Sequence, residues 1–124
     1  MNDRVMRVQD LAVHFKLREG GLLRSQTHTI KAVDGVSFDL DAGETLGVVG
    51  ESGCGKSTLA RALLALVKPC RGRVLWLGED LNKLDDQAMR KKRLDMQIVV
   101  QDPLAALNPR MTVRDIIAEP LWTF

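Results

Sequence analysis

Gly50-Glu51-Ser52-Gly53-Cys54-Gly55-Lys56-Ser57 is the stretch on which the fold of this chain turns. Gly50 and Gly55, followed by Lys56 and Ser57, have the spacing of a loop that cradles phosphate. Glycines let the backbone bend so that successive N–H groups point inward at anionic oxygens. A helix starting at the end of the loop adds the positive end of its dipole at the same point. Lys56 supplies a mobile charge for β- and γ-phosphates. The Ser57 hydroxyl suits Mg²⁺, a hard ion that takes oxygen ligands. Thr58 offers a further hydroxyl. Cys54 reads as a space-filling residue whose backbone joins the cradle. The competing reading is a Gly-rich turn that caps a helix, and the flanks argue against it.

Upstream, Thr45-Leu46-Gly47-Val48-Val49 is a short apolar run of the kind found in buried parallel strands. Downstream, Leu59, Ala60, Leu63, Leu64 and Val67 recur at helical spacing, leaving Arg61 and Lys68 outside. Pro69 and Gly72 are expected to stop that helix and turn the chain. The spacing predicts a strand over Arg73 to Leu77, closed by Gly78. Glu79-Asp80 reads as a turn. A short helix is expected over Leu84 to Arg93, with Asp85 and Asp86 in its first turn and basic residues in its last, as the helix dipole favours. Ile98-Val99-Val100 predicts another apolar strand. Beyond Gln101 the chain reads as loop through Asn108-Pro109. A helix then begins at Thr112, which with Asp115 forms a start signal, and Val113, Ile116 and Ile117 share a face.

On the N-terminal side, Val8, Leu11, Val13 and Phe15 predict a half-buried strand within Val5 to Leu17. Gly20-Gly21 opens a polar loop, Arg18 to Thr29. Ile30 to Val33 and Val36 to Leu40 read as two short strands flanking an Asp34-Gly35 turn. Asp41-Ala42-Gly43-Glu44 is a second turn.

The totals set bounds. The chain has 124 residues, 45% apolar and 27% charged, which allows a globular core. A net charge of +2 excludes a nucleic-acid binder held by bulk charge, and Arg90-Lys91-Lys92-Arg93 reads as the solvated end of a helix. Cys54 and Cys70 read as reduced thiols of a cytosolic protein. No secretion signal and no apolar run long enough to span a bilayer is present. A protein of this kind would reach a membrane by docking to another subunit. His14 and His28 have no metal-like spacing and are given no role.

A phosphate cradle alone does not choose among kinases, GTPases and transport ATPases. Three stretches narrow the choice. Lys31 to Phe38 (Lys-Ala-Val-Asp-Gly-Val-Ser-Phe), Gly43-Glu44-Thr45, and Val49 through Thr58 resemble the nucleotide-binding domain of ABC transporters. Val100-Gln101-Asp102-Pro103-Leu104-Ala105-Ala106-Leu107-Asn108-Pro109-Arg110-Met111-Thr112-Val113 is more specific. It resembles the ATP-binding subunits of oligopeptide and dipeptide importers, with their nickel and glutathione relatives. A small-molecule kinase would leave this stretch unexplained.

The resemblance implies an α/β P-loop NTPase fold of ABC type: an N-terminal antiparallel β part, then the start of the parallel core and of the helical subdomain. On that map residues 1–49 hold the β-rich part and the P-loop strand, 50–100 the P-loop, helix and strands, and 101–124 the Q-loop and the first part of the helical subdomain. It implies ATP and Mg²⁺ as cofactors. Residues Gly50, Glu51, Ser52, Gly53, Cys54, Gly55, Lys56, Ser57 and Thr58 would hold the phosphates. Ser57 and Gln101 would ligate the metal, and Lys56 and Gln101 would act in hydrolysis. Phe15 would stack on the adenine, unless it only faces the core of its strand. Asp102 ends an apolar strand but is not taken as the Mg²⁺ ligand, because that strand leads into the Q-loop. Expected partners are transmembrane permease subunits and a second ATP-binding subunit, on the cytoplasmic face of the membrane, with no nucleic acid and no membrane span of its own.

The same resemblance implies features that these 124 residues do not contain. No Leu-Ser-Gly-Gly-Gln stretch follows Gln101, no later strand ends in Asp-Glu, and no switch histidine follows. The expectation is an N-terminal fragment of a nucleotide-binding domain, a truncated gene product or one side of a divided protein, marginal or aggregation-prone by itself. Two functions stay open: an ATPase subunit energising peptide import, or a nucleotide-binding remnant or interaction module without hydrolysis of its own.

Overall fold

The computed structural model describes residues 3–19 and 26–123. The chain forms two compact units, Met1–Leu84 and Asp85–Phe124.

The first unit is built on two long strands, β1 (Arg4–Glu19) and β2 (Gln26–Asp41), paired antiparallel. Strand β3 (Arg71–Trp76) pairs with the other edge of β1, and the two-residue β4 (Glu79–Asp80) pairs with β3, giving the order β2-β1-β3-β4. Helix α1 (Lys56–Leu63) packs on β1 and β2 through its buried Leu59 and Ala62. Val8, Leu11, Val13 and Val74 are fully buried at the centre of the sheet. Burying each such side chain stabilises by roughly 1.5–3 kcal/mol.

The spacing of the buried residues in β1 does not follow simple alternation, because Val8 and Leu11 are three positions apart. Asp10, at φ 44°, is the extra residue. It shifts the ladder between Val8↔Phe38 and Leu11↔Val36. A second irregularity at Gly35, φ 76°, restores the count on β2 before Val13↔Val33. The two bulges compensate, so the apolar residues on both sides of them stay in the core and Asp10 stays out of it.

This overturns the expectation of two short strands around an Asp34-Gly35 turn. Gly35 accommodates a bulge rather than a reversal, and Val36 and Val33 pair with the same neighbour, β1. The polar loop expected over Arg18 to Thr29 is shorter too, since Arg18 pairs with Thr27 and Glu19 with Gln26. Gly20-Gly21 lies outside the described residues. Helix α1 ends at Leu63, before the expected Val67, because Ala65 adopts φ 51° and turns the chain ahead of Pro69. Ala60 is exposed, and Ala62 takes its place on the buried face. Glu79-Asp80 is strand, not turn: Leu77 and Gly78, at φ 48° and 85°, form the two-residue hairpin that folds β4 onto β3.

Thr45–Val49 and Ile98–Val100 are not strands. Val49 is 93% and Val99 94% exposed. Neither segment has a ladder partner among the described residues, and a strand exists only as part of a ladder. The sheet is therefore wholly antiparallel, and the expected start of a parallel core is not formed among the described residues.

The second unit carries α2 (Asp86–Lys92), α3 (Pro103–Ala106) and α4 (Val113–Thr123). Each start has a side-chain cap, which satisfies otherwise unpaired N–H groups. The Asp85 carboxylate accepts from Ala88 N–H at 2.7 Å, Asp102 from Leu104 N–H at 3.0 Å, and Thr112 Oγ1 from Asp115 N–H at 3.2 Å. The basic residues Arg90, Lys91 and Lys92 fill the last turn of α2, where the helix dipole favours them. Met89 and Met96 are the buried apolar residues of this unit.

Candidate functional site

The phosphate loop folds as its glycines dictate. Cys54 N–H donates to the Glu51 carbonyl at 3.3 Å, closing a turn. Gly55 then takes φ 102° and opens α1, whose first backbone bond runs from Leu59 N–H to Gly55 O at 2.8 Å. Only glycine fits here: a Cβ on Gly55 would fall on the Ala32 carbonyl of β2. The loop thus rests directly on the sheet at Ala32 and Val33. Cys54 fills the loop from within, its Sγ occupying the space a Gly50 side chain would need.

The Lys56 ammonium spans the loop, donating to the carbonyls of Gly50 and Glu51, both at 2.6 Å. Cys54 Sγ lies 3.4 Å away. Phosphate oxygens are anionic and stronger acceptors than these carbonyls. Lys56 is therefore already at the loop and can exchange a neutral partner for a charged one. Ser57 and Thr58 lie in the first turn of α1, with the Ser57 side chain exposed. Ala32, Val33, Asp34, Val36 and Phe38 of β2, with Val48, Val49, Cys54, Gly55, Lys56 and Leu59, border a cleft of about 300 Å³.

Phe15 is 41% exposed on β1 and pairs with Ile30. It stands two residues beyond Val13, whose partner Val33 lies against Gly55. An exposed ring near the loop's support is free to stack on a base. Gln101 lies exposed in the second unit, one residue before the cap Asp102. Asp102 spends its carboxylate on Leu104 and Ala105 N–H groups. That gives this acid a local structural task.

Charged residues missed from sequence tie the strands together beside the loop. Arg71 at the start of β3 grips the Asp10 carboxylate through two nitrogens, at 2.8 and 3.1 Å. Its Nη2 also lies 3.7 Å from Asp34. Asp34 Oδ1 meets His14 Nε2 at 3.2 Å, and its other oxygen lies 3.7 Å from Lys31. The His14 hydrogen bond, opposed by burial and aided by the charges of Lys31, His14 and Arg71, holds the Asp34 carboxyl below its usual range. The Arg71 guanidinium is pushed up, chiefly by its hydrogen bonds to Asp10. His14, given no role above, is thus a partner of Asp34. Arg71 and Asp10 lie 61 residues apart and His14 and Asp34 lie 20 apart, and no local pattern connects them.

For a divalent ion the donor chemistry fits Mg²⁺. A serine hydroxyl at a phosphate loop supplies one hard oxygen, and this ion keeps its waters and takes substrate phosphates for the rest. Among the described residues no group of three or more His, Cys, Asp or Glu side chains forms a protein cage for a metal.

A Gly-rich loop that opens a helix and carries Lys56 and Ser57 at its end has the pattern of a P-loop nucleotide-binding protein. The chain matches the ABC transporter family over residues 33–121 and belongs to that family. It is 55% identical over 121 residues to the oligopeptide transport ATP-binding protein OppF of Salmonella typhimurium, a match covering 97% of this chain and 36% of that protein. It is 48% identical over 120 residues to AppF of Bacillus subtilis, another oligopeptide transport ATP-binding protein, covering 96% of this chain and 36% of AppF. The chain thus spans about a third of the length of these relatives. Among solved structures, the dimeric bacterial ABC transporter cassette MJ0796 superposes with a TM-score of 0.75 at 25% identity, covering 96% of this chain and 48% of that one.

Proposed function

We propose that this chain supplies the phosphate-binding part of an ATPase subunit that energises peptide import through an ABC transporter. The observation that carries the reading is the loop itself: Gly55 seated on β2, α1 opening behind it, and the Lys56 ammonium poised across its mouth. In this reading the Gly50 to Gly55 backbone, Lys56 and Thr58 hold the β- and γ-phosphates of ATP. Ser57 ligates Mg²⁺, with Gln101 as a second oxygen donor. When bound, the ion neutralises phosphate charge. Phe15 stacks on the adenine. Transmembrane permease subunits and a second ATP-binding subunit are the partners, and the chain works at the cytoplasmic face of the membrane. No helix among the described residues is long and apolar enough to cross a membrane, so the permease would carry the membrane contact. The kinship with oligopeptide transport ATP-binding proteins supports the peptide assignment.

Lys56→Ala tests this reading. The lysine's bond to phosphate joins two charged groups, a class worth about 1.5–3 kcal/mol. ATP affinity, followed by displacement of a fluorescent ATP analogue, is expected to fall about tenfold to a hundredfold. Unchanged affinity would remove the assignment.

A further inference from the structure

We propose that Arg71 and Asp34 are positioning residues for the phosphate loop, acting through the paired bulges of β1 and β2; this rests on the nucleotide-binding reading above. The loop sits on Ala32 and Val33, and the next two residues are Asp34 and the bulge glycine Gly35. The height and tilt of that platform therefore depend on how the bulge is held. Bulges interrupt ladder bonding and are the compliant points of a sheet.

Here three strands converge on that point. From β1, Asp10 stands at φ 44° with its N–H donated to Ser37 Oγ at 2.8 Å, and His14 reaches Asp34 at 3.2 Å. From β2 come Asp34, Lys31 and Ser37. From β3, Arg71 grips Asp10 with two hydrogen bonds and faces Asp34 at 3.7 Å. The packing is close, since a Cβ on Gly35 would lie 3.2 Å from Asp10 Oδ1 and 3.4 Å from Arg71 Nη2. Among the described residues Arg71 is thus the one cation that faces both carboxylates. Without it, Asp10 and Asp34 flank the bulge with less to balance their repulsion, and the segment bearing Ala32 loosens. The side chains are partly exposed, so each ion pair by itself contributes little to global stability. A planar two-pronged grip chiefly fixes geometry. A cradle of N–H groups loses its fit to phosphate when its support shifts by a fraction of an ångström.

A positioning role and a simple sheet staple differ in what they do to different parts of the nucleotide. Arg71→Ala, Arg71→Lys and Asp34→Asn are compared in the full chain, with ATP and adenosine each displacing a fluorescent ATP analogue. Lys56→Ala serves as the control. Arg71→Ala is expected to weaken ATP about threefold to tenfold and to leave adenosine unchanged, as for an indirect coupling between touching groups. Asp34→Asn should act in the same direction. Arg71→Lys should restore part of the loss, which keeps the test open if the alanine variant does not fold. Equal weakening of ATP and adenosine, or unchanged ATP affinity in the folded variants, overturns the proposal. If Lys56→Ala leaves ATP binding intact, the nucleotide reading itself falls; if only the Arg71 and Asp34 variants are silent, the positioning role falls alone.

Discussion

Replacing Gly55 by alanine is expected to weaken ATP binding by at least about a hundredfold, more than loss of the Lys56 charge. The reason is geometric. At φ 102° the residue lies outside even the small left-handed region that side-chain-bearing residues visit. The added methyl also falls on the Ala32 carbonyl, a backbone atom of β2. The methyl forces the loop and β2 apart, so the loop lifts from its support. That displaces the first turn of α1, with Lys56, Ser57 and Thr58, and pulls Leu59 from its buried place. The unfavourable backbone conformation by itself costs about 1–3 kcal/mol, and the collision with the Ala32 carbonyl adds to it. The fold should survive, because β1, β2 and β3 pair independently of the loop. Circular dichroism would establish that, and nucleotide displacement would read the affinity. Gly53→Ala is the matched control. Gly53 also has a positive φ, 81°, but a Cβ there meets nothing within 4 Å. A Gly55 variant that binds ATP no worse than the Gly53 variant would show that contact with β2 does not set the loop's geometry.

The bend of the Gly50–Ser57 loop and the start of α1 were legible in the sequence because their information is local. Glycines, a lysine and a hydroxyl within a few residues specify the bend, the charge and the helix start together, and α1 begins at Lys56 as expected. The Thr112 cap was legible for the same reason, since its hydroxyl accepts from Asp115 N–H three residues on, whereas Asp85, expected inside the first turn, instead caps α2. The bulges were not. Asp34-Gly35 has the composition of a hairpin turn, and only the pairing of both flanks with β1 makes it a bulge. Apolar runs misled in a different way. Val48-Val49 and Val99-Val100 announce surfaces that favour burial, but say nothing about which strand pairs with them. Arg71 carries no motif; its significance comes from reaching Asp10, 61 residues away.

Gly72→Ala is expected to be the most destabilising single methyl in the chain, with a loss of about 4 kcal/mol or more, in the range reserved for severe core or backbone faults. Gly72 lies in β3 directly across from the Asp10 bulge. Its φ of 83° is unfavourable for alanine, and an added Cβ would collide with the carbonyls of both Gln9 and Asp10. In Gly55→Ala the loop can move, but here both partners are strands in the middle of the sheet. Relief would require β3 to withdraw from β1, exposing Val74 and Val8, which are 0% and 1% exposed. It would also carry Arg71 away from Asp10 and Asp34, so the same substitution removes the clamp on the bulge. Domains of this size have a net stability of only about 5–15 kcal/mol. Urea unfolding followed by circular dichroism should therefore show a midpoint shifted far toward zero denaturant. A neighbouring strand substitution that adds no backbone collision, Arg73→Ala, should cost much less, because it removes only an exposed contact with Gln9. Similar midpoints for the two variants would mean that β3 can slide past the bulge, and that the paired irregularities of β1 and β2 do not depend on their third strand.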